Sequence, residues 1–405
     1  MADRFNAQQI IECLRSGVSS RKLSAIFSYG REAALERVSR EMIRVREEGA
    51  VQSLVVKGNF GNGKTHFLNI IFDMAEKMNY TVSFVPLSKE IPFNRLDRIY
   101  RNAVAALHLP GFMQPGMLPL LSQAGAGSEE TEDIVKFASR QLHPKIAAVL
   151  KNYFESADPW NRHQLFSDLS GDFIPGSLLK SIHRINTGST LHIPRFLLKE
   201  HVFDYFRMLS YLIKAQGYAG WVILFDEFEQ VMHLGVNART AAYLNAARFM
   251  SKAFGLTSTY TIFSASSNLW SELLLKEKRS DFDVIPDKLT ATGCQHHIPT
   301  AREVFGQFLR DNLFLDNLSS FDVRRLLHAI SEYHSRAYNR QSPADVEAVL
   351  NLLGGDKPLR TTIRSMVEYL DLQYLHGDEP EISVSKPEES ATAIKWTDDN
   401  GEDLE

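Results

Sequence analysis

The chain has only two cysteines, Cys13 and Cys294, in 405 residues. Two thiols so far apart build no disulfide framework and suit a reducing compartment. Long hydrophobic runs are also missing: no stretch approaches the roughly 18 apolar residues that read as a membrane-spanning helix. The opening MADRFNAQQI lacks the charged-then-apolar layout of a secretion signal. The expectation is a cytoplasmic protein with no membrane partner. No charge sign dominates, since 45 Lys and Arg face 49 Asp and Glu for a formal charge of −4. Bulk charge therefore gives no argument for a nucleic-acid or membrane partner. The histidines, His296-His297 included, have no cysteine or carboxylate partners at ligand spacing, which argues against a transition-metal site. No Gly-x-Ser-x-Gly stands in a strand–turn–helix setting, so a hydrolase triad has no support. No internal repeat with a fixed period is visible.

What is present is ordinary globular material: 44% hydrophobic and 23% charged residues, enough for a large core and about two or three folded units. That composition excludes wholesale disorder, collagen and coiled coil. The charge is unevenly placed. Residues 377–405 contain ten acids and two lysines, a local net of −8, which leaves +4 on the rest of the chain. This end is also poor in large apolar residues and is expected to be disordered.

Apolar spacing predicts helices over 7–16 and 31–47, joined by GVSSRKLSAIFSYG. SLVVKG (53–58) and TVSFVPLS (81–88) read as buried strands, with helix THFLNIIFDMAEKM (65–78) between them. Strand, loop, helix and strand in that order make a βαβ unit and a parallel sheet. From about 90 to 216 the alternation stops. NRLDRIYRNAVAAL, TEDIVKFASRQLHPKIAAVLKNYF and RFLLKEHVFDYFRMLSYLIKAQ carry helical periodicity, which points to a helical insertion between two strands. WVILF (221–225) and TYTIFSAS resume the sheet around helix TAAYLNAARFMSKAF. From about Thr300 the pattern is purely helical.

The sharpest motif is Gly58-Asn59-Phe60-Gly61-Asn62-Gly63-Lys64-Thr65, a complete G-x-x-x-x-G-K-[ST] between an apolar strand and a helix. Glycines let the backbone curl closely around phosphates, and the N–H groups of such a loop at a helix N-terminus favour an anion. Lys64 is expected on the β- and γ-phosphates and Thr65 on Mg²⁺. With His66 next in line, the whole loop is a candidate nucleotide cradle. The second loop of such a site needs an acid at the end of a buried strand. WVILFDE supplies Asp226 for Mg²⁺ and Glu227 to orient and deprotonate an attacking water. The third strand, TYTIFSAS, ends in Ser264, Ser266, Ser267 and Asn268. Asn268 is the first candidate for sensing the γ-phosphate or positioning the water, and Ser266 the second.

The run GREAAL, the loop GNFGNGKTH, the acids of ILFDEFEQV and the segment SASSNLW together resemble the AAA+ class, nearest its initiator and STAND-type branch. IIECLRSGVSS…YGREAALERV followed by VVKGNFGNGKTHFL, and FNRLDRIYRNAVAAL followed by a late Asp-Glu pair, resemble the ATP-binding proteins of bacteriophage exclusion (BREX) systems over about residues 8–372. The resemblance implies an α/β P-loop NTPase fold, with a parallel sheet flanked by helices. It divides the chain into N-terminal helices (1–50), an ATPase domain (51–298) with its insertion, a helical lid (299–376) and the acidic tail (377–405). It also implies that Tyr29, Gly30 and Arg31 line the adenine side and that Arg360 or Arg364 reaches the nucleotide from the lid. ATP and Mg²⁺ are the implied cofactors, and other defence-system proteins, DNA or further copies of the chain the implied partners. Arg239, Arg248 and Arg279 are candidates for an arginine acting in a neighbouring subunit. Arg324-Arg325, Arg336, Arg360 and Arg364 give the lid a basic surface that suits DNA. Three functions stay open: an ATP-hydrolysing motor or switch, an ATP-gated assembly subunit with little turnover, and a DNA-bound target selector.

Overall fold

The computed structural model describes residues 2–17, 21–125, 128–339, 346–353 and 358–376. The acidic stretch 377–405 lies outside them. Six strands form one sheet: β1 (Val51–Gly58), β2 (Tyr80–Pro86), β3 (Leu107–His108), β4 (Gly220–Asp226), β5 (Thr259–Ser266) and β6 (Asn312–Phe314). Their order across the sheet is β3-β2-β4-β5-β1-β6. The continuous apolar runs are what a sheet covered on both faces requires, and every residue of β4 and β5 is buried. One face packs on α3 (Glu32–Glu48) and α4 (Lys64–Lys77) through Val38, Met42, Phe67, Ile71 and Phe72. The other packs on helices Phe203–Ala215 and Val236–Met250 through Phe206, Leu209, Tyr243 and Phe249. This is the expected α/β architecture of P-loop NTPase type.

Several local readings change. The sheet is mixed rather than parallel throughout, because β3 pairs antiparallel with β2. The helix read through NRLDRIYRNAVAAL therefore ends at Ala105, and Leu107 turns into the sheet edge. Residues beyond Thr300 are not purely helical either, since Asn312–Phe314 adds a parallel strand to β1. Three residues are too few to show a period of two. Finally, TEDIVKFASRQLHPKIAAVLKNYF is two helices, Glu129–Gln141 and Pro144–Glu155. Pro144 cannot continue a helix but suits a first turn, and the His143 ring accepts from the Lys145 N–H as its cap. A short helix, α2 (Arg21–Ile26), also lies in the joining segment.

The two ends of the described chain meet. Helix α1 (Ala2–Ser16) packs against helices Ser320–Tyr338 and Leu359–His376. Ile11, Leu14, Leu327, Ile330, Met366 and Val367 form their common core. Arg15 makes a two-pronged contact with Asp371, Nε to Oδ2 and Nη2 to Oδ1, both at 2.9 Å. His334 reaches the same carboxylate at 3.1 Å.

The insertion between β3 and β4 has its own polar anchor. Lys145 Nζ lies 2.7 Å from Asp168 Oδ2 with both side chains fully or almost fully buried, and the Tyr205 hydroxyl donates to the same carboxylate. Breaking a buried pair strands one charge, at a cost of about 3–5 kcal/mol, whereas replacing both partners by apolar groups is often close to neutral. Lys145→Met should therefore unfold the protein at markedly lower denaturant concentration, and Lys145→Met/Asp168→Leu should recover much of the loss. Equal loss in both variants, read from chemical denaturation, would show that the pair does not act as a unit.

Candidate nucleotide site

The carboxyl ends of β1, β4 and β5 lie side by side, where ligands bind in open α/β sheets. Register sets Gly58 beside Ser266 and brings Asp226 to the end of the neighbouring strand. The phosphate loop leaves β1 with Gly61 and Gly63 both at φ +83°, a left-handed geometry that favours glycine. Gly63 then opens α4, so the free N–H groups of the first helical turn face the cavity mouth. Lys64 folds back over the loop, with Nζ 3.1 Å from the Gly58 carbonyl and 3.2 Å from that of Asn59. Burial lowers its pKa, against the raising effect of Glu229, Asp226 and Glu227.

Asp226 joins the three loops. Its Oδ2 accepts from the Thr65 hydroxyl at 2.6 Å. Its Oδ1 accepts from the Ser264 hydroxyl and from the Glu227 N–H at 3.1 Å. A hydroxyl and a carboxylate in contact are oxygen donors of the kind Mg²⁺ takes alongside phosphate oxygens. Glu227 follows at φ +60°, exposed at the start of a tight turn, with Gln230 donating to it at 3.4 Å. Partial desolvation by the surrounding cavity wall, although the side chain still reaches solvent, and then the charge of Asp226, raise its carboxyl above the ordinary range.

The cavity continues from the phosphate loop between α1, α2 and the C-terminal helices. Tyr29, Arg31, Phe60, Gly61, Asn62, Gly63, Lys64, Thr65, His66, Asp226, Glu227 and Arg360 all line it. Arg31 donates to the Asn62 carbonyl at 3.2 Å and to that of Asp316 at 2.9 Å, which fixes the middle of the loop. His66 Nε2 meets the Phe27 carbonyl at 2.7 Å, so that nitrogen carries the proton and Nδ1 accepts from the Ser24 hydroxyl at 3.3 Å. His66 thus ties α2 to the helix that carries Lys64. Arg360 lies over the exposed ring of Phe60, 5.6 Å from its centroid, and donates to the Gly17 carbonyl at 3.0 Å.

Other sequence candidates stand back from the cavity wall. Gly58 and Asn59 contribute carbonyls to Lys64. Gly30, at φ +66°, packs against Leu318 and Asp322, where a Cβ would meet Asp322 Oδ2 at 2.8 Å. Arg364 lies along Gly17. Asn268 is exposed at the cap of the Leu269–Leu274 turn, outside the cavity lining. On β5, the side chain that touches the acid pair is Ser264. Two features escaped the sequence. Glu229 lines the cavity, burial raises its carboxyl, and one of its oxygens is buried with no hydrogen-bond partner among the described residues. An acid three residues past the strand end reads as a solvated turn, so nothing marked it. The apolar wall of Leu14, Leu23, Phe27, Leu318, Leu326 and Ile363 comes from both ends of the chain, and no local pattern announces such a surface.

Lys64 is the one cation inside the loop, and backbone dipoles alone cannot offset a triphosphate. Lys64→Ala should reduce ATP affinity by calorimetry to below detection while leaving the melting temperature within about 2 °C of the parent, since it caps no core contact. ATP affinity equal to the parent's would show that the loop does not bind phosphate.

Comparison with known proteins adds one match. The family model described as BREX system ATP-binding protein BrxC/D matches residues 3–122 and 127–267. A search of curated proteins found no match. The matched stretches contain the phosphate loop, Asp226 and Glu227, and end just past β5. The chain belongs to the family of BREX system ATP-binding proteins.

Proposed function

We propose that this ATP-binding protein hydrolyses ATP with Mg²⁺, as an AAA+-like member of a bacteriophage-exclusion defence system. The observation that carries the reading is the 2.6 Å contact of Thr65 with Asp226 directly ahead of Glu227. A hydroxyl and a carboxylate of the kind that holds Mg²⁺ beside phosphate lie in contact, and a second carboxylate follows them at the cavity, which supports the reading. Thr65 and Asp226 would hold Mg²⁺, which neutralises phosphate charge when bound. Ser264 and the Glu227 N–H fix the Asp226 carboxylate, so its orientation does not depend on the ligand. Lys64 balances the β- and γ-phosphates. Glu227 takes the proton of the attacking water. The base rests on the apolar wall beside Tyr29 and Arg31, with Arg360 arriving from the C-terminal helices.

An oligomer fits the same reading. Of the three arginines considered for action in a neighbouring copy, Arg239 is committed to Asp281, at 3.0–3.3 Å, and to the Leu234 carbonyl. Arg248 is desolvated over the Phe203 ring. Arg279 is exposed and is the candidate. A second reading, an ATP-gated assembly subunit, is favoured by the seating of the C-terminal helices on the loop. A Cβ at Gly61 would lie 3.2 Å from Pro358, so a bound nucleotide and the position of these helices bear on one another. DNA and other defence-system proteins are the partners through which either reading would act.

Glu227→Gln should keep ATP bound and lower turnover by about 10²–10⁴-fold. Hydrolysis at the parental rate would make Glu227 structural. The pH dependence has a defined sign. The base works only as carboxylate, and its pKa is raised, so kcat should fall on acidification with a midpoint above the ordinary glutamate value of about 4.3. Asp226→Asn should instead weaken the Mg²⁺ dependence of turnover.

A further inference from the structure

The helical insertion carries a second surface that the nucleotide site does not use. Residues 173–199 contain no Asp or Glu, but they hold Lys180, Arg184, Arg195 and Lys199, together with His183 and His192. All four cations are exposed, and none makes an ion pair with a described residue. That is unlike the C-terminal helices, where Arg324 pairs with Glu347 at 2.6 Å, Arg325 with Asp322 at 3.6 Å and Arg336 with Glu332 at 3.8 Å. The basic face expected on those helices is internally neutralised in part, whereas the four cations of the insertion make no ion pair among the described residues.

The backbone places Lys180 and Arg184 on one helix and Arg195 on the strap that returns along it, with Lys199 on the short helix Leu198–His201 that follows. Lys180 and Arg184 are four residues apart on helix Gly176–Thr187 and so share a face. The opposite face is buried through Leu179 and Ile182, with His183 and Asn186 hydrogen-bonded to Asn152. The chain then turns at Gly188 and runs back along the helix. Ser189 meets His183 at 3.2 Å near the helix end, and Ile193 lies within 3.9 Å of a Cβ built on Gly176 at its start. The returning strap, which bears His192 and Arg195, is therefore antiparallel to the helix that bears Lys180 and Arg184. It is anchored where the His143 ring bonds the Arg195 backbone. Ser181, Thr187, Ser189 and Thr190 lie exposed among the cations. Ile185, 68% exposed, stands beside Arg184.

We propose that this helix-and-strap protrusion is a binding surface for the sugar–phosphate backbone of a nucleic acid. Four unneutralised cations with interspersed hydroxyls match the side chains that contact phosphates. Residues 173–199 hold no acid of their own to repel a phosphate, and the acids that border them are Asp172, paired with Arg101, and Glu200. The surface stands apart from Lys64, Asp226 and Glu227, so the proposal does not depend on ATP hydrolysis.

The test uses the full chain, a fluorescent 20-base-pair duplex of arbitrary sequence, and anisotropy across a salt titration. The full chain should bind with a steep salt dependence. The combined variant Lys180→Ser/Arg184→Ser/Arg195→Ser/Lys199→Ser should lose about 100-fold or more in affinity at 0.1 M salt. Its slope of log K against log salt should be shallower by about 3–4, since each phosphate contact contributes about 0.9. Its melting temperature and ATP affinity should stay at the parental values, which separates loss of the surface from loss of fold or of the nucleotide site. The four-lysine variant at the same positions should retain the slope. Because residues 377–405 carry −8, a chain ended at His376 is measured in parallel. Binding that appears only in the shortened chain and is removed by the four serine changes still supports the surface, with the chain's own acids as its competitor. Unchanged affinity and slope in the serine variant, or no salt-dependent binding by either length of chain, would overturn the proposal.

Discussion

The site depends on where one carboxylate is held. Asp226 ends a strand buried along its whole length, and its two oxygens take the Thr65 hydroxyl, the Ser264 hydroxyl and the Glu227 N–H. Those contacts come from the phosphate-loop helix, from β5 and from the turn after β4. A charge so deep is tolerated because hydrogen bonds satisfy it, and satisfying it draws three loops to one point. The order β2-β4-β5-β1 in the sheet follows the same logic, since the acid strand and the phosphate strand sit on either side of the strand that carries Ser264. The binding geometry is in this sense a by-product of accommodating a buried ion.

Much of this was legible locally. The phosphate loop, the acid pair and the buried strands each depend on residues close together in sequence, where composition and spacing speak directly. Edge elements were not legible: β3 is two residues long and β6 three, and such pieces are set by the neighbour that offers a free edge rather than by their own pattern. The site divided along the same line. Lys64, Thr65, Asp226 and Glu227 lie in motifs. Glu229 and Ser264 matter only because a fold in the chain turns them toward Lys64 and Asp226. Asn268 and Arg364 drew interest from their position in a pattern; neither lines the cavity, although Arg364 packs on Gly17, which does.

The insertion and the sheet serve different ends. The sheet buries its polar groups around a candidate ligand site, whereas the insertion buries the ion pair Lys145–Asp168, largely covers Arg207–Asp204, and keeps Lys180, Arg184, Arg195 and Lys199 exposed. The phosphate loop and the basic helix and strap share no residue. Either can vary without a shared residue to constrain it.

The meeting of α1 with the last described helix has a kinetic consequence. The apolar wall of the nucleotide cavity is assembled from Leu14 and Leu23 at one end of the chain and Leu326 and Ile363 at the other, and Arg15 is paired with Asp371. On a ribosome the first helix is synthesised before its partners and stays without them until residues near 370 have left the exit tunnel. Contacts so distant in sequence close last and slow folding. During that interval Ile10, Ile11 and Leu14 lack the surface that buries them. A nascent chain arrested before the final helix would own a complete phosphate loop and no closed wall for the base.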